Sequence, residues 1–418
     1  MLVSVAMSQR TRAALLAGEV VRGEFAPGKS DLATPGTLAW SAESGADLVL
    51  IGDTAGWPGD LGKYRHAVQG VIDGRDAVTI LHAGVRQISA FGRTSALRAT
   101  TLALGEHIDE ATRWSRAIYE TTNLSEWIAA SGLQHVSADE PGEGASGILW
   151  EPPPRHDFQL PRADAAFIGH AEMDPVGYMS SWSVVTSQRL VVDVRRRATM
   201  GQLHDRYAVP LVAFTAFAAD RPDSVIVEIL RNPDERRRVE VWRQGRRYDP
   251  REWNPASGYL FRASDLPRLP AAVRRWWGLH AAAWPALGMF AEHITDGNTY
   301  SPARFLTLHT AMEAYCRVRF GKKDFRLMRD YANVDVNAHG CTNKALALIG
   351  ASRNYFSHLS RQNVSHEATS DTLLHTTRRA HALLQACLLR EMGFGPRQTE
   401  RLLSRHHAGW PLPSVIGS

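Results

Sequence analysis

Residues Arg353-Asn354-Tyr355-Phe356-Ser357-His358 place an arginine five positions ahead of a histidine, with an asparagine directly after the arginine. Those residue types suit phosphodiester chemistry on RNA. RNA carries its own nucleophile, the ribose 2′-hydroxyl, so cleavage needs a group that moves a proton and a cation that stabilises charge on the phosphorane. A histidine that titrates near neutrality does the first, with a typical contribution of roughly 10²–10⁴-fold. A preorganised arginine does the second. Asn354 can donate a hydrogen bond to phosphate or orient the histidine. At about 100° per residue, Asn354 and His358 share a helix face, whereas Arg353 stands roughly 140° round from His358. A straight helix does not converge that pair, so either the helix bends or the site is composite. The same spacing also arises by chance. Arg353 can equally cap a helix or pair with Glu313, and Tyr355, Phe356 and Leu359 read as core.

The elements around the motif read as helices. From Ser264 onward the period is helical: Leu266, Leu269, Val273, Trp276, Trp277, His280 and Trp284 fit one or two amphipathic helices. Ser301-Pro302 is a helix start, and Phe305, Leu308, Met312, Tyr315 and Cys316 follow at i, i+3, i+4 spacing. A further helix is predicted over 343–360 and another through Leu373–Leu388, stopping at Gly393. Upstream the pattern is that of short strands: 19–25, 37–41, 47–51, 78–81 and 97–104, broken by Gly, Pro and Asp turns. A strand and one helical turn are expected within 113–132, an exposed loop around one short strand at 137–157, and a helix near 199–219. Strands are expected at 225–230 and 238–242, and a hairpin across Ser187-Gln188 is predicted from the runs 182–187 and 190–195. The fold class is therefore α+β: a β-rich domain over 1–263, a helical connector over 264–298 and an all-α bundle over 299–418.

The string ASRNYFSHLS (351–360) resembles the RNYxxH signature of HEPN domains, and FLTLHTAMEAYCR (305–317) resembles their first helix, where an acidic residue, here Glu313, recurs. The N-terminal part resembles the partner domain of the ApeA family of bacterial anti-phage proteins. The matching pieces are Gly23-Glu24-Phe25-Ala26-Pro27-Gly28, Pro35-Gly36-Thr37-Leu38, 48–52 and 124–132. The resemblance implies a metal-independent endoribonuclease acting in abortive infection on cellular RNA, possible tRNA targets included. It implies catalysis by Arg353, Asn354 and His358 with Glu313 in support, a homodimer through the HEPN domain, and an N-terminal domain that restrains the nuclease until a phage-derived trigger arrives. Lys344 and Arg361 are nearby sites for RNA backbone contact, although a solvated surface explains each. The alternative is a HEPN module without activity that serves dimerisation or nucleotide binding.

Other chemistries find less support. Gly23–Ser30 matches the P-loop string GxxxxGK[ST], but Pro27 removes an amide donor and Pro35-Gly36 leaves no room for the helix that holds phosphate. There is no HExxH, CxxC or GxSxG, so no metal or cofactor is expected. His375 and His381 are expected on an exposed or groove face, and the twelve tryptophans mostly in the core, Trp276, Trp277 and Trp284 above all. A net charge of +5 permits a polyanionic partner without demanding one. The three cysteines, Cys316, Cys341 and Cys387, read as reduced thiols. No apolar run approaches a membrane span, and Arg10 and Arg12 interrupt the first apolar stretch, unlike a secretory signal; a cytoplasmic protein without membrane contact is expected.

Overall fold

The computed structural model describes residues 8–27, 33–52, 67–88, 94–130, 132–136, 147–176, 181–245, 258–295, 301–334, 342–358 and 370–407. The chain enters through α1 (Gln9–Leu16) and then strands β1 (Val21–Pro27), β2 (Thr34–Ser41), β3 (Gly45–Ile51), β4 (Val68–Ile72), β5 (Asp76–Leu81), β6 (Gly84–Ile88), β7 (Thr94–Ala99), β8 (Thr101–Leu104) and β9 (Arg113–Thr121). The short α2 (Leu124–Ile128) precedes β10 (Leu133–Val136), β11 (Gly147–Trp150), β12 (His156–Leu160), β13 (Ala163–Val176) and β14 (Ser181–Thr199). Helices α3 (Met200–Leu203) and α4 (Val209–Ala219) are joined by a π turn at His204–Ala208, and β15 (Val225–Asn232) and β16 (Arg237–Arg243) follow. The rest is helical: α5 (Leu269–Thr295), α6 (Pro302–Phe320), α7 (Phe325–Ala332), α8 (Asn343–His358), α9 (Ser370–Met392) and α10 (Pro396–His406). The fold is α+β, a β-rich N-terminal region followed by a C-terminal helical bundle.

Among the described residues fourteen strands form one antiparallel sheet in the order β12-β13-β14-β9-β15-β16-β8-β5-β4-β1-β2-β3-β7-β6. A sheet this wide has to curl. The curl brings Trp40 of β2 within 5.7 Å of Trp242 of β16, across four intervening strands. Inside it lies a first core of Phe25, Leu38, Leu48, Val68, Ile80 and Leu97. Gly70 is required there: a Cβ would stand 2.4 Å from the Phe25 ring. The 97–104 run forms two strands rather than one. Thr100 breaks it, and β7 pairs with β3 and β6 while β8 pairs with β5 and β16.

The second core starts on the other half of the sheet and continues without interruption into the helices. Trp127, Phe167, Phe214, Phe217, Phe261, Trp276 and Phe290 pack ring against ring along it, with Phe217 stacked on Trp276 at 5.4 Å. Helices α3 and α4 lie where the 199–219 period puts a helix, opened by a capping box between Thr199 and Gln202.

Three expectations are corrected. The hairpin at Ser187-Gln188 does not exist. Ser187 and Gln188 lie inside the continuous strand β14, paired along its length with β13, and their polar side chains are consumed there: Ser187 donates to Glu120 at 2.9 Å and Gln188 to the Ala130 carbonyl at 2.7 Å. Trp276 and Trp277 are core as expected, but Trp284 is 52% exposed. It sits where Pro285 and the non-helical Ala283 kink α5 and turn that side chain outward. His381 is buried rather than on an open face. Its Nε2 lies 2.8 Å from Asp220 and its Nδ1 3.0 Å from His293.

Candidate active site

Three helices and one turn frame the R-x4-H motif. Helix α6 begins at Ser301, whose hydroxyl accepts from the Arg304 amide, and Pro302 fills the first turn, where no amide partner is needed. It ends at Gly321, whose φ of +71° only glycine adopts without strain. The turn that follows carries Lys323 to Asp324, which caps α7 by accepting from the Arg326 amide. Helix α8 is capped by Thr342, whose Oγ1 accepts from the Ala345 amide at 3.2 Å. Arg329 of α7 donates to Asn343 at 2.6 Å and fixes the start of α8. The thiol of Cys387 on α9 donates to the Met328 carbonyl, so α7 is held from behind as well.

Between α6, α7 and α8 opens a cavity of about 430 Å³ lined by His309, Glu313, Lys323, Arg326, Arg353 and Asn354 among others. Arg353 and Asn354, adjacent on α8, therefore reach one space, and the Arg353 Nη1 donates to Asn354 Oδ1 at 3.2 Å. The cavity stripe on α8 runs Ala347, Gly350, Asn354. His358 is the last residue of α8, and its side chain lies outside the described structure, as does Leu359.

Opposite the arginine stands a feature that the motif does not include. His309 is buried, and its Nδ1 lies 3.9 Å from Glu313, one helical turn on. Burial lowers its pKa to about 4; Glu313 opposes the shift, while Arg353 and Lys323 add to it. His309 is therefore neutral near pH 7. Burial also raises the Glu313 carboxyl, but the Lys323 hydrogen bond at 2.8 Å, the neighbouring His309 imidazole and the positive charges of Lys323 and Arg353 outweigh that and hold it below the usual carboxylate range. The resulting site sets the buried His309 and the Glu313 carboxylate of α6 against the cations Lys323 and Arg353.

The expected site residues fall out as follows. Arg353 and Asn354 are brought together at the cavity, and Glu313 faces them. Glu313 does not bond Arg353: its partners are Lys323 and His309, and Arg353 acts on it as a charge across the cavity. Lys344 is exposed on α8, nine residues before Arg353 and so on the other side of the helix, and it does not line the cavity. Arg361 lies outside the described residues, as do Lys29, Ser30 and Cys341. Gly23–Pro27 of the P-loop string is a strand paired on both sides, with β2 and β4, so its amides are engaged in the sheet. Cys316 and Cys387 are buried thiols, each donating to a backbone carbonyl. Sequence reasoning missed His309, Lys323 and Arg326. The i, i+4 spacing of His309 and Glu313 was the available signal. Lys323 has none in sequence, because only the Gly321 turn brings it back over α6.

Among the described residues no group of histidines, cysteines and carboxylates is arranged to hold a metal ion, and no helix is long and apolar enough to cross a membrane. Residues 308–398 match the family described as Apea-like HEPN. Residues 21–153 match the ApeA N-terminal domain 1. No curated protein and no solved structure matches the chain.

Proposed function

We propose that this chain, an ApeA-like protein with a C-terminal HEPN domain, is an endoribonuclease that cuts cellular RNA, tRNA among the substrates, when phage infection activates it. Both of its matched domains are those of HEPN-type anti-phage defence proteins. The observation that carries the reading is the convergence of Arg353 and Asn354 on the cavity between α6, α7 and α8; the motif's spacing adds His358 one turn beyond Asn354.

In this reading His358 takes the proton from a ribose 2′-hydroxyl as O2′ attacks the adjacent phosphorus. The P–O5′ bond breaks, and the proton that His358 took passes to the leaving O5′. The products carry a 2′,3′-cyclic phosphate and a 5′-hydroxyl. Arg353 meets the charge that develops on the non-bridging oxygens, where a fixed, partly desolvated guanidinium contributes most. Asn354 donates to the phosphate or steadies His358. Glu313 supports the site by holding Lys323 over it. A second copy of the chain brings a second motif to the same cleft, which answers the 140° separation of Arg353 and His358 on one helix. Residues 299–418 are the nuclease unit, 264–298 its connector and 1–263 the restraining region.

The test is cleavage of total bacterial RNA by purified full-length protein in the presence of a chelator, with end-group mapping. Fragments with 2′,3′-cyclic phosphate ends from wild type, and none from Arg353→Ala or His358→Ala, support the reading. Equal cleavage by all three proteins refutes it. If the wild type dimerises but cuts no RNA even when prepared from infected cells, the chain is an inactive dimerisation module instead.

A further inference from the structure

The sheet carries a row of arginines that the nuclease reading does not use. Asp193 of β14, Arg116 of β9, Arg231 of β15 and Arg238 of β16 are directly opposite one another in register across four adjacent strands. Like charges directly opposite on a sheet destabilise it. Asp193 neutralises only the first arginine, through a two-pronged ion pair. Arg231 and Arg238 have no acidic partner among the described residues, and the Arg231 Nε is fully enclosed without a hydrogen bond. Burial lowers the Arg231 pKa, and the neighbouring Arg238, Arg116 and Arg189 lower it further. An uncompensated cation held in such company costs stability, and its physical rationale is an anion that is bound there.

The row lies at one side of a cavity of about 730 Å³, which falls within the size of ordinary ligand pockets. Helix α1 roofs it with Arg12 and Leu16, and β13 supplies His170 and Glu172 at the edge. The floor beside the arginines is apolar: Val227, Ile229 and Leu104. Of the two glutamates that line it, Glu172 is exposed at the edge, and Glu240 is already held by Arg12 at 3.0 Å and by the Trp242 indole at 2.8 Å. Arg189 is engaged by Glu120 at 3.0 Å. Arg231 and Arg238 are therefore the cations left to receive a ligand, with the apolar side chains of Val227, Ile229 and Leu104 lining the cavity beside them. Arginine's planar fork suits phosphate oxygens in particular.

We propose that this cavity binds a phosphate-bearing small molecule of nucleotide size, with Arg231 and Arg238 on the phosphates and the Val227, Ile229 and Leu104 floor under the base. The site is in the N-terminal region, separate from the α6–α8 cavity, and it stands whether or not the chain cuts RNA.

The experiment measures the thermal midpoint and the equilibrium binding of the full chain with ATP, pyrophosphate, adenosine and a mixed-sequence RNA oligonucleotide. The variants are wild type and the double substitution Arg231→Gln, Arg238→Gln. ATP and pyrophosphate are expected to raise the midpoint of wild type at low salt, and adenosine is not. The double variant is expected to bind about tenfold more weakly or worse, while its ligand-free midpoint is unchanged or higher, because the substitutions remove like-charge repulsion. That opposite sign separates a binding role from a structural one, where binding and stability fall together. Failure of both ATP and pyrophosphate to act on wild type overturns the proposal, as does an equal response in the double variant. Adenosine acting as strongly as ATP overturns it too. RNA binding that the double substitution abolishes, with no response to either small phosphate, overturns it in favour of a strand-binding surface.

Discussion

Arg353 is half-buried and Asn354 exposed, and both side chains line the cavity rather than the core. That separates their chemistry from stability. Arg353→Ala is expected to change unfolding stability by no more than about 0.5 kcal/mol while lowering RNA cleavage by about 10²-fold or more. Cleavage and chemical denaturation measured on the same preparation check both halves. His309 sharpens the assignment. It is neutral near pH 7 and sits across the cavity from Arg353, so it competes with His358 for the proton-transfer role. His309→Gln keeps a neutral hydrogen-bonding side chain, and cleavage is expected to stay within about tenfold of wild type. A loss as deep as that of His358→Ala moves the base to His309. The motif itself was legible because Arg353, Asn354 and His358 fall within six residues of sequence. The rest of the site was not: Lys323 comes back over Glu313 only through the left-handed turn at Gly321.

The elements divide in the same way. The helix starts at Ser301-Pro302 and the stop at Gly393 were readable, because caps are local: the Ser301 hydroxyl meets an orphan amide and Gly393 has a φ of +99°. Ser301→Ala is expected to cost about 1 kcal/mol, read from the denaturation midpoint. Strand β14 was misread because Ser187-Gln188 looks like a turn, and only its partners, Glu120 and Ala130, explain why two polar residues stay in a strand. The exposed Trp284 was equally hidden, since its helical period points inward and Pro285 redirects it. Helix α5 also carries a pH dependence. Burial lowers the His280 pKa to about 4, below the usual value of 6.5 in an unfolded chain. Between those values the unfolded state binds more protons, so the contribution of His280 to stability is complete above pH 6.5 and is lost as pH falls toward 4. The thermal midpoint is expected to rise with pH across that window, and His280→Gln to make the rise shallower. An unchanged slope in the variant contradicts the assignment.

At the scale of the whole molecule, the sheet and the helical bundle share one core, and a polar clasp closes it. Asp220 occupies the left-handed cap of α4 at φ +49° and is bonded at 2.8 Å by His381 of α9 and by His406 of α10. Burial alone raises the Asp220 carboxyl, but the charges and hydrogen bonds of His381 and His406 outweigh it and hold it well below the usual range. His293 of α5 extends the chain of contacts through His381. The strands and the helices were foreseen separately from their periods; this junction was not, because its members are scattered from 220 to 406. Asp220→Ala is expected to cost about 3 kcal/mol of unfolding stability, and Asp220→Asn less, since asparagine tolerates the left-handed backbone and still accepts a hydrogen bond. Denaturant titration of the two variants orders them. If the β-rich region restrains the nuclease through this junction, Asp220→Ala also raises toxicity in uninfected cells.

The most direct test of the central claim is RNA integrity and phage resistance in a bacterial host that expresses wild type, Arg353→Ala or His358→Ala, with and without phage. RNA fragments on a denaturing gel and resistance to infection with wild type alone are the predicted result. Resistance undiminished in both variants contradicts it and removes the chemistry from the pair at the end of α8.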